Sequence, residues 1–210
     1  MKLLRIDSSA RAASVSRQLT GAFTELWKAK HSGGKVVERD LASTRFSTIT
    51  DEWVSATRME PSQWSEKQRT AIASSDVFIA ELFAADTIVI GTPMHNYGVS
   101  WPLKAWIDQI VRIGKTVEYG PQGPKGLLRD KEVVVITSRG GSYGPGSPRA
   151  HMDFVEPYLR AVFGFLGVTN IKFIHADNQY RPEQAAPMKA AALQQVNETL
   201  GHNSAPSPVS

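Results

Sequence analysis

The chain has 210 residues, with 24 Lys and Arg against 20 Asp and Glu, and no cysteine. A length of this order suits one domain with a full core, and 41% hydrophobic with 21% charged residues excludes a disordered or fibrous chain. Without cysteine there are no disulfides, iron–sulfur clusters, thiolate zinc sites or cysteine nucleophiles, and the small excess of positive charge is spread along the chain instead of gathered into a stripe for nucleic acid.

The elements alternate. Lys2–Asp7 is a short apolar strand that stops at Ser8-Ser9, and residues 15–30 carry Leu19, Phe23, Leu26 and Trp27 at helical spacing. Lys35–Arg39 predicts a second strand. Residues 51–83 read as helical, with Pro61 starting a new helix at its first turn. Thr87–Ile90 and Val133–Thr137 are continuous β-branched runs, as expected of strands covered on both faces. Between them lie an amphipathic helix around Leu103–Ile113 and a Gly/Pro-rich excursion, Tyr119–Gly126. A helix at about 150–165, a last strand at Ile171–Ile174 and a closing helix at 183–199 follow. Residues 1–200 are therefore expected to form one domain, and 201–210, rich in Gly, Ser, Pro and Asn, a disordered tail. Five parallel strands with intervening helices predict a three-layer α/β sandwich, whose functional loops lie at the carboxyl ends of the strands. Arg5 and Asp7 interrupt the apolar start, so no signal peptide is expected. The longest uncharged stretch, Thr87–Leu103, holds two prolines and two glycines and predicts no membrane span. A reducing, cytoplasmic setting fits this composition.

Three strand ends carry the candidate chemistry. The first, Ser8 to Arg17, joins a strand end to a helix start, where unpaired N–H groups and the positive end of the helix dipole can hold a phosphate. Ser9, Ser14 and Ser16 would add hydroxyls, and Arg17 a charge. A serine cap needing no ligand is the simpler reading of this segment taken alone. The second, Thr92 to Pro102, sets Met94, His95, Asn96 and Tyr97 where a flat ring could lie, although Trp101 and Trp106 taken singly read as core. The third, Ser138 to Gly144, has glycines that allow close backbone approach. It also contains a literal G-x-S-x-G at Gly140–Gly144, but Pro145 and Pro148 delay the helix that a nucleophile elbow needs, and Asp153 with His175 would be a forced triad for Ser142. Gly114-Lys115-Thr116 fails as a phosphate loop because Gln109 stands at the first glycine position. The histidines show no metal-ligand spacing, and no metal is expected. In a sheet ordered 2-1-3-4-5 the three loops line one crevice, in outline a flavin mononucleotide site.

At these residues the chain resembles the bacterial FMN-dependent NADH-azoreductases, flavodoxin-like proteins also described as quinone reductases. The likeness covers about residues 1–177. It rests on Ser8-Ser9 to Arg11 with Ser14–Arg17, on Pro93–Gly98 with Leu103–Asp108, on Ile136–Gly141 and on Gly164–Val168. The resemblance implies that Ser9, Ser14, Val15 and Ser16 bind the FMN phosphate, and that Met94, His95, Asn96, Tyr97, Ser138, Arg139, Gly140 and Gly141 hold the ribityl chain and ring. It implies NADH as electron donor, quinones and azo compounds as acceptors, a ping-pong cycle with the hydride carried by the flavin N5, and no catalytic side chain. It further implies a homodimer in which a partner's aromatic residue covers the flavin, Tyr119 being the candidate. The first loop is one residue shorter than in the family pattern, His95 replaces Tyr, and Ser100 replaces Pro. The two replacements are expected to touch substrate preference. The competing reading is a non-enzymatic flavodoxin-like electron carrier or redox-responsive binding module.

Overall fold

A computed structural model describes residues 1–201; the expected tail from residue 202 onward lies outside the described residues. Gly201 itself is not part of a tail, since it ends the last helix.

Five strands form the parallel sheet: β1 (Lys2–Asp7), β2 (Lys35–Asp40), β3 (Thr87–His95), β7 (Glu132–Ser138) and β8 (Asn170–Ala176), in the order β2-β1-β3-β7-β8. A two-residue strand, β4 (Gly98–Val99), adds antiparallel to the end of β3. The central strands β3 and β7 are buried along nearly their whole length, as their β-branched runs require, while the edge strands β2 and β8 are only partly covered. Helices α1 (Val15–Lys30) and α6 (Pro182–Gly201) cover one face, packing Leu19, Phe23, Trp27, Val196 and Leu200 onto Leu3, Val89 and Val134. Helices α3 (Glu66–Ala84), α4 (Trp101–Ile110) and α5 (Glu156–Phe165) cover the other, with Phe78, Leu82, Leu103, Trp106 and Phe163 against Ile6, Ile88, Ile90, Val133 and Val135. This is the flavodoxin-like three-layer sandwich that the alternation predicts. Among the described residues no helix is long and apolar enough to cross a membrane.

The helix expected at about 150–165 starts only at Glu156, after a 3-10 turn at Ala150–Met152, and the one expected to reach Ile113 ends at Ile110; two further regions differ more from expectation. The stretch read as helix from residue 51 divides into α2 (Asp51–Ala56), a 3-10 turn at Pro61–Gln63 and α3. Pro61 begins only that turn; α3 is started by a reciprocal capping box between Ser65 and Gln68. The excursion at Tyr119–Gly126 is a hairpin of β5 (Val117–Gly120) and β6 (Gly123–Gly126). It is held by a backbone contact in which Gly126 lies directly against Leu166 and Gly167, leaving no room for a side chain. Leu128 N–H completes the joint on Leu166 O at 2.8 Å.

Candidate active site

At the carboxyl ends of β1, β3 and β7 lies one continuous cleft with two chambers. The inner, of about 390 Å³, is lined by Ser9, Arg11, Ser14 and Val15 on one side and Met94, His95, Ser138, Arg139 and Gly140 on the other. The outer, of about 550 Å³, is lined by Met94 to Tyr97, Gly140, Gly141, Tyr143, Arg149 and Arg181. Tyr180 faces both, its ring lying over Gly140.

The first loop is fixed from below. Ser14 caps α1 by accepting the N–H of Arg17 at 3.3 Å, and Ser9 Oγ accepts that of Arg11 at 3.3 Å. The N–H groups of Val15 and Ser16, at the first two helical positions, have no intrahelical acceptor and stand at the positive end of a 16-residue helix. Arg17 is not available to a ligand: its Nε and Nη2 donate to Ser9 O at 3.0 and 2.6 Å, and Nη2 meets Asp40 Oδ1 at 2.5 Å. It staples the loop. The Ser16 side chain is likewise buried away from the cleft, its hydroxyl 3.4 Å from that of Ser14. Only its N–H remains for a phosphate. Beneath the loop, Asp7 accepts the Thr20 hydroxyl at 2.7 Å. Burial raises its carboxyl above the ordinary value against the opposing pull of Thr20, Arg5 and Arg17.

The second loop is a two-residue hairpin. His95 pairs with Gly98, so Asn96 and Tyr97 form the whole turn, both left-handed, at φ 49° and 70°. Such a turn suits Asn but strains Tyr. Its ring is held into the outer chamber beside Tyr143, with centroids 6.1 Å apart. Ser100, expected to influence substrate choice, does not face the cleft: it is fully buried and its hydroxyl lies 2.9 Å from that of Ser8, joining the first two loops. Trp101 is not core but 70% exposed, whereas Trp106 is buried.

Arg139 anchors the third loop. Its side chain turns away from the ligand space and is buried between Asp153 at 2.8 Å and Asp177 at 2.5 Å. Its N–H donates to Ala176 O and its carbonyl accepts from Gln179. Asp153 also accepts the N–H groups of Val155 and Glu156 at the start of α5. One guanidinium thus ties β7, β8 and α5 together. Beside it, His175 Nδ1 lies 2.7 Å from the Thr137 hydroxyl and Nε2 2.7 Å from Glu156. Burial, with the nearby Arg139 charge, holds this imidazole below its ordinary value despite Glu156 and Asp177. Asp153 and His175 are thereby committed elsewhere, and Ser142 has no triad. Among the described residues no cluster fit to hold a metal ion occurs.

The sequence-predicted residues Ser9, Ser14, Val15, Met94, His95, Asn96, Tyr97, Ser138, Arg139, Gly140 and Gly141 therefore line one cleft. Tyr119 does not; it is 61% exposed on the β5–β6 hairpin. Sequence reasoning missed Arg149, Gln179, Tyr180 and Arg181, which arrive from loops with no motif; Tyr143 lies within the third segment, with no role assigned to it there.

Comparison with known proteins decides the family. Residues 1–200 match the model of a family described as having a flavodoxin-like fold. The chain is 46% identical to FMN-dependent NADH:quinone oxidoreductase 1 of Trichormus variabilis over 95% of its own length and 97% of the relative's. It is 45% identical to FMN-dependent NADH:quinone oxidoreductase 3 of Burkholderia lata over 84% and 86%. The chain belongs to this family. An azoreductase structure from Bacillus anthracis superposes with a TM-score of 0.88 at 28% identity, covering 95% of this chain and 98% of that one. A second structure from that species, an FMN-dependent NADH-azoreductase in complex with FMN, gives 0.86 at 22% identity, covering 96% and 98%, and carries the likeness of fold alone.

Proposed function

We propose that this chain is an FMN-dependent oxidoreductase that takes hydride from NADH and reduces quinones and aromatic azo compounds, working as a homodimer in the cytoplasm. The observation that carries the site assignment is the pairing, in one cleft, of two helix N–H groups without intrahelical acceptors and two serine hydroxyls with two loops that line an outer space of about 550 Å³. FMN has the matching parts: a dianionic phosphate for the helix terminus and a flat, mostly apolar ring for the outer loops.

Ser9, Ser14 and the N–H groups of Val15 and Ser16 would hold the phosphate. Met94 to Tyr97 and Ser138 to Gly141 would flank the ribityl chain and ring. FMN supplies the two-electron chemistry when bound, and the protein supplies position and electrostatics. The Tyr97 hairpin, braced by the Phe154 N–H on Tyr97 O at 3.1 Å, fixes the ring wall before a substrate arrives. Because Arg139 is neutralised by two carboxylates, it shapes the third loop without adding free charge beside the ring. No side chain is assigned a proton transfer. The homodimer reading is supported by the exposed rings of Trp101, Tyr119 and Phe154. Tyr119, absent from its own cleft, suits a role over the partner's. The cysteine-free composition supports a reducing compartment.

The test is the visible spectrum of FMN-reconstituted protein, washed free of excess cofactor, before and after anaerobic NADH. Retained flavin that bleaches directly, followed by reoxidation with a quinone, is expected. Retained flavin that NADH leaves oxidised would favour an electron carrier, and no retained flavin would overturn the site.

A further inference from the structure

The outer chamber has a property that binding a neutral ring does not require. Two arginines, Arg149 and Arg181, line it together with Tyr97, Tyr143 and Tyr180, and among the described residues no aspartate or glutamate lines either chamber. Neither guanidinium forms an ion pair or hydrogen bond with a protein acceptor among those residues. Ten residues before Arg149, the buried Arg139 is matched by two carboxylates, so this part of the fold does supply acids where it needs to quench a charge.

Arg149 is also seated. Its guanidinium carbon lies 5.3 Å from the Tyr143 ring centroid, within cation–π range. Its Nη2 lies against Gly141, where an added Cβ would stand 2.8 Å away. A planar donor fork is thereby held at the chamber wall with its donors unspent, the arrangement that best matches the oxygens of an acid group. Arg181, just ahead of α6, brings the second charge to the same space.

We infer that Arg149 and Arg181 form an anion subsite in the outer chamber, which recognises the acid group of the ring compound that reacts there. Carboxylate, sulfonate and phosphate share the required chemistry. The group belongs either to an acidic quinone or azo acceptor or to the phosphates of the nicotinamide donor. The inference rests on the reductase reading above and adds the specificity residues to it.

The test uses FMN-loaded enzyme with a matched pair of acceptors, a naphthoquinone and its monosulfonate, in the wild type, Arg149→Gln, Arg181→Gln, the double variant and Arg149→Lys. The quantity read is the ratio of KM for the sulfonate to KM for the neutral quinone. Loss of both charge-assisted contacts is expected to raise it about 10-fold in the double variant, with Arg149→Lys recovering part of the loss. Calorimetric binding of naphthalenesulfonate, which undergoes no redox chemistry, should weaken in parallel and should also weaken with added salt in the wild type. A rise confined to KM for NADH would support the subsite and assign the anion to the nucleotide's phosphates. An unchanged ratio with unchanged KM for NADH and unchanged sulfonate binding would overturn it, as would an equal rise for both quinones. If the wild type reduces neither quinone, the reductase reading fails first, and the calorimetry still judges the subsite.

Discussion

The two chambers of the cleft solve different problems with different materials. One wall of the inner chamber is main chain and short hydroxyls behind β1, fixed by a cap and a staple: Ser14 on Arg17 N–H and Arg17 on Ser9 O. The outer chamber adds three tyrosines and two arginines to Met94, His95, Asn96, Gly140 and Gly141. The first suits the phosphate of a constant partner; the second, which also meets that partner's ring, suits a succession of different ring compounds. In this account the cofactor's phosphate is held by backbone and short hydroxyls, and choice of substrate lives in the outer side chains.

Substitutions at Arg139 and Arg149, both between β7 and α5, draw the sharpest contrast. Arg139→Met should leave the mostly covered side chains of Asp153 and Asp177 without their partner, at a cost of about 3 kcal/mol in stability measured by denaturant unfolding. Arg149→Gln, on an exposed side chain, should fall within about 0.5 kcal/mol of the wild type. Equal losses would erase the distinction between a structural and a ligand-facing arginine. In the hairpin, Tyr97→Val should be less stable than Tyr97→Gly by about 1–2 kcal/mol, because a β-branched residue tolerates φ 70° poorly and glycine adopts it freely. Ser14→Ala should cost about 1 kcal/mol through the lost cap and weaken FMN binding, read by titration.

The smallest effect is a pH dependence. His175 is held below its ordinary value, so the folded protein binds fewer protons there than the unfolded chain. Its contribution is complete above the ordinary imidazole value near 6.5 and is lost as the pH falls through that value toward the lower folded one. Stability should therefore decline on acidification through this window, and His175→Gln should flatten the decline. Asp7 acts with the opposite sign: its raised carboxyl favours the fold below its ordinary value, and that contribution fades as the pH rises through the folded one.

The strands, both helical layers and the three loops were legible because each rests on a local signal: β-branched runs for β3 and β7, helical spacing in α1, and glycines or serines where strands end; the strand order was expected only by analogy with doubly wound sheets. The residues that were misread are those whose role depends on a distant partner. Arg17 looks like a phosphate ligand until Asp40 and Ser9 O are placed beside it, and Ser100 looks like a pocket residue until Ser8 meets it. Arg149, Tyr180 and Arg181 carry no motif, and only the fold brings them to the cleft. The β5–β6 hairpin was hidden for a related reason: what fixes it is the contact of Gly126 with Gly167, forty-one positions further along.

The central claim is that the end of α1 with its serines holds a phosphate while the outer loops hold a ring. Calorimetric titration of the cofactor-free protein with FMN and with riboflavin, which lacks the phosphate, tests it directly. The account predicts one FMN per chain and at least about 100-fold weaker binding of riboflavin, the loss of several charge-assisted hydrogen bonds. Equal affinity for the two would contradict it.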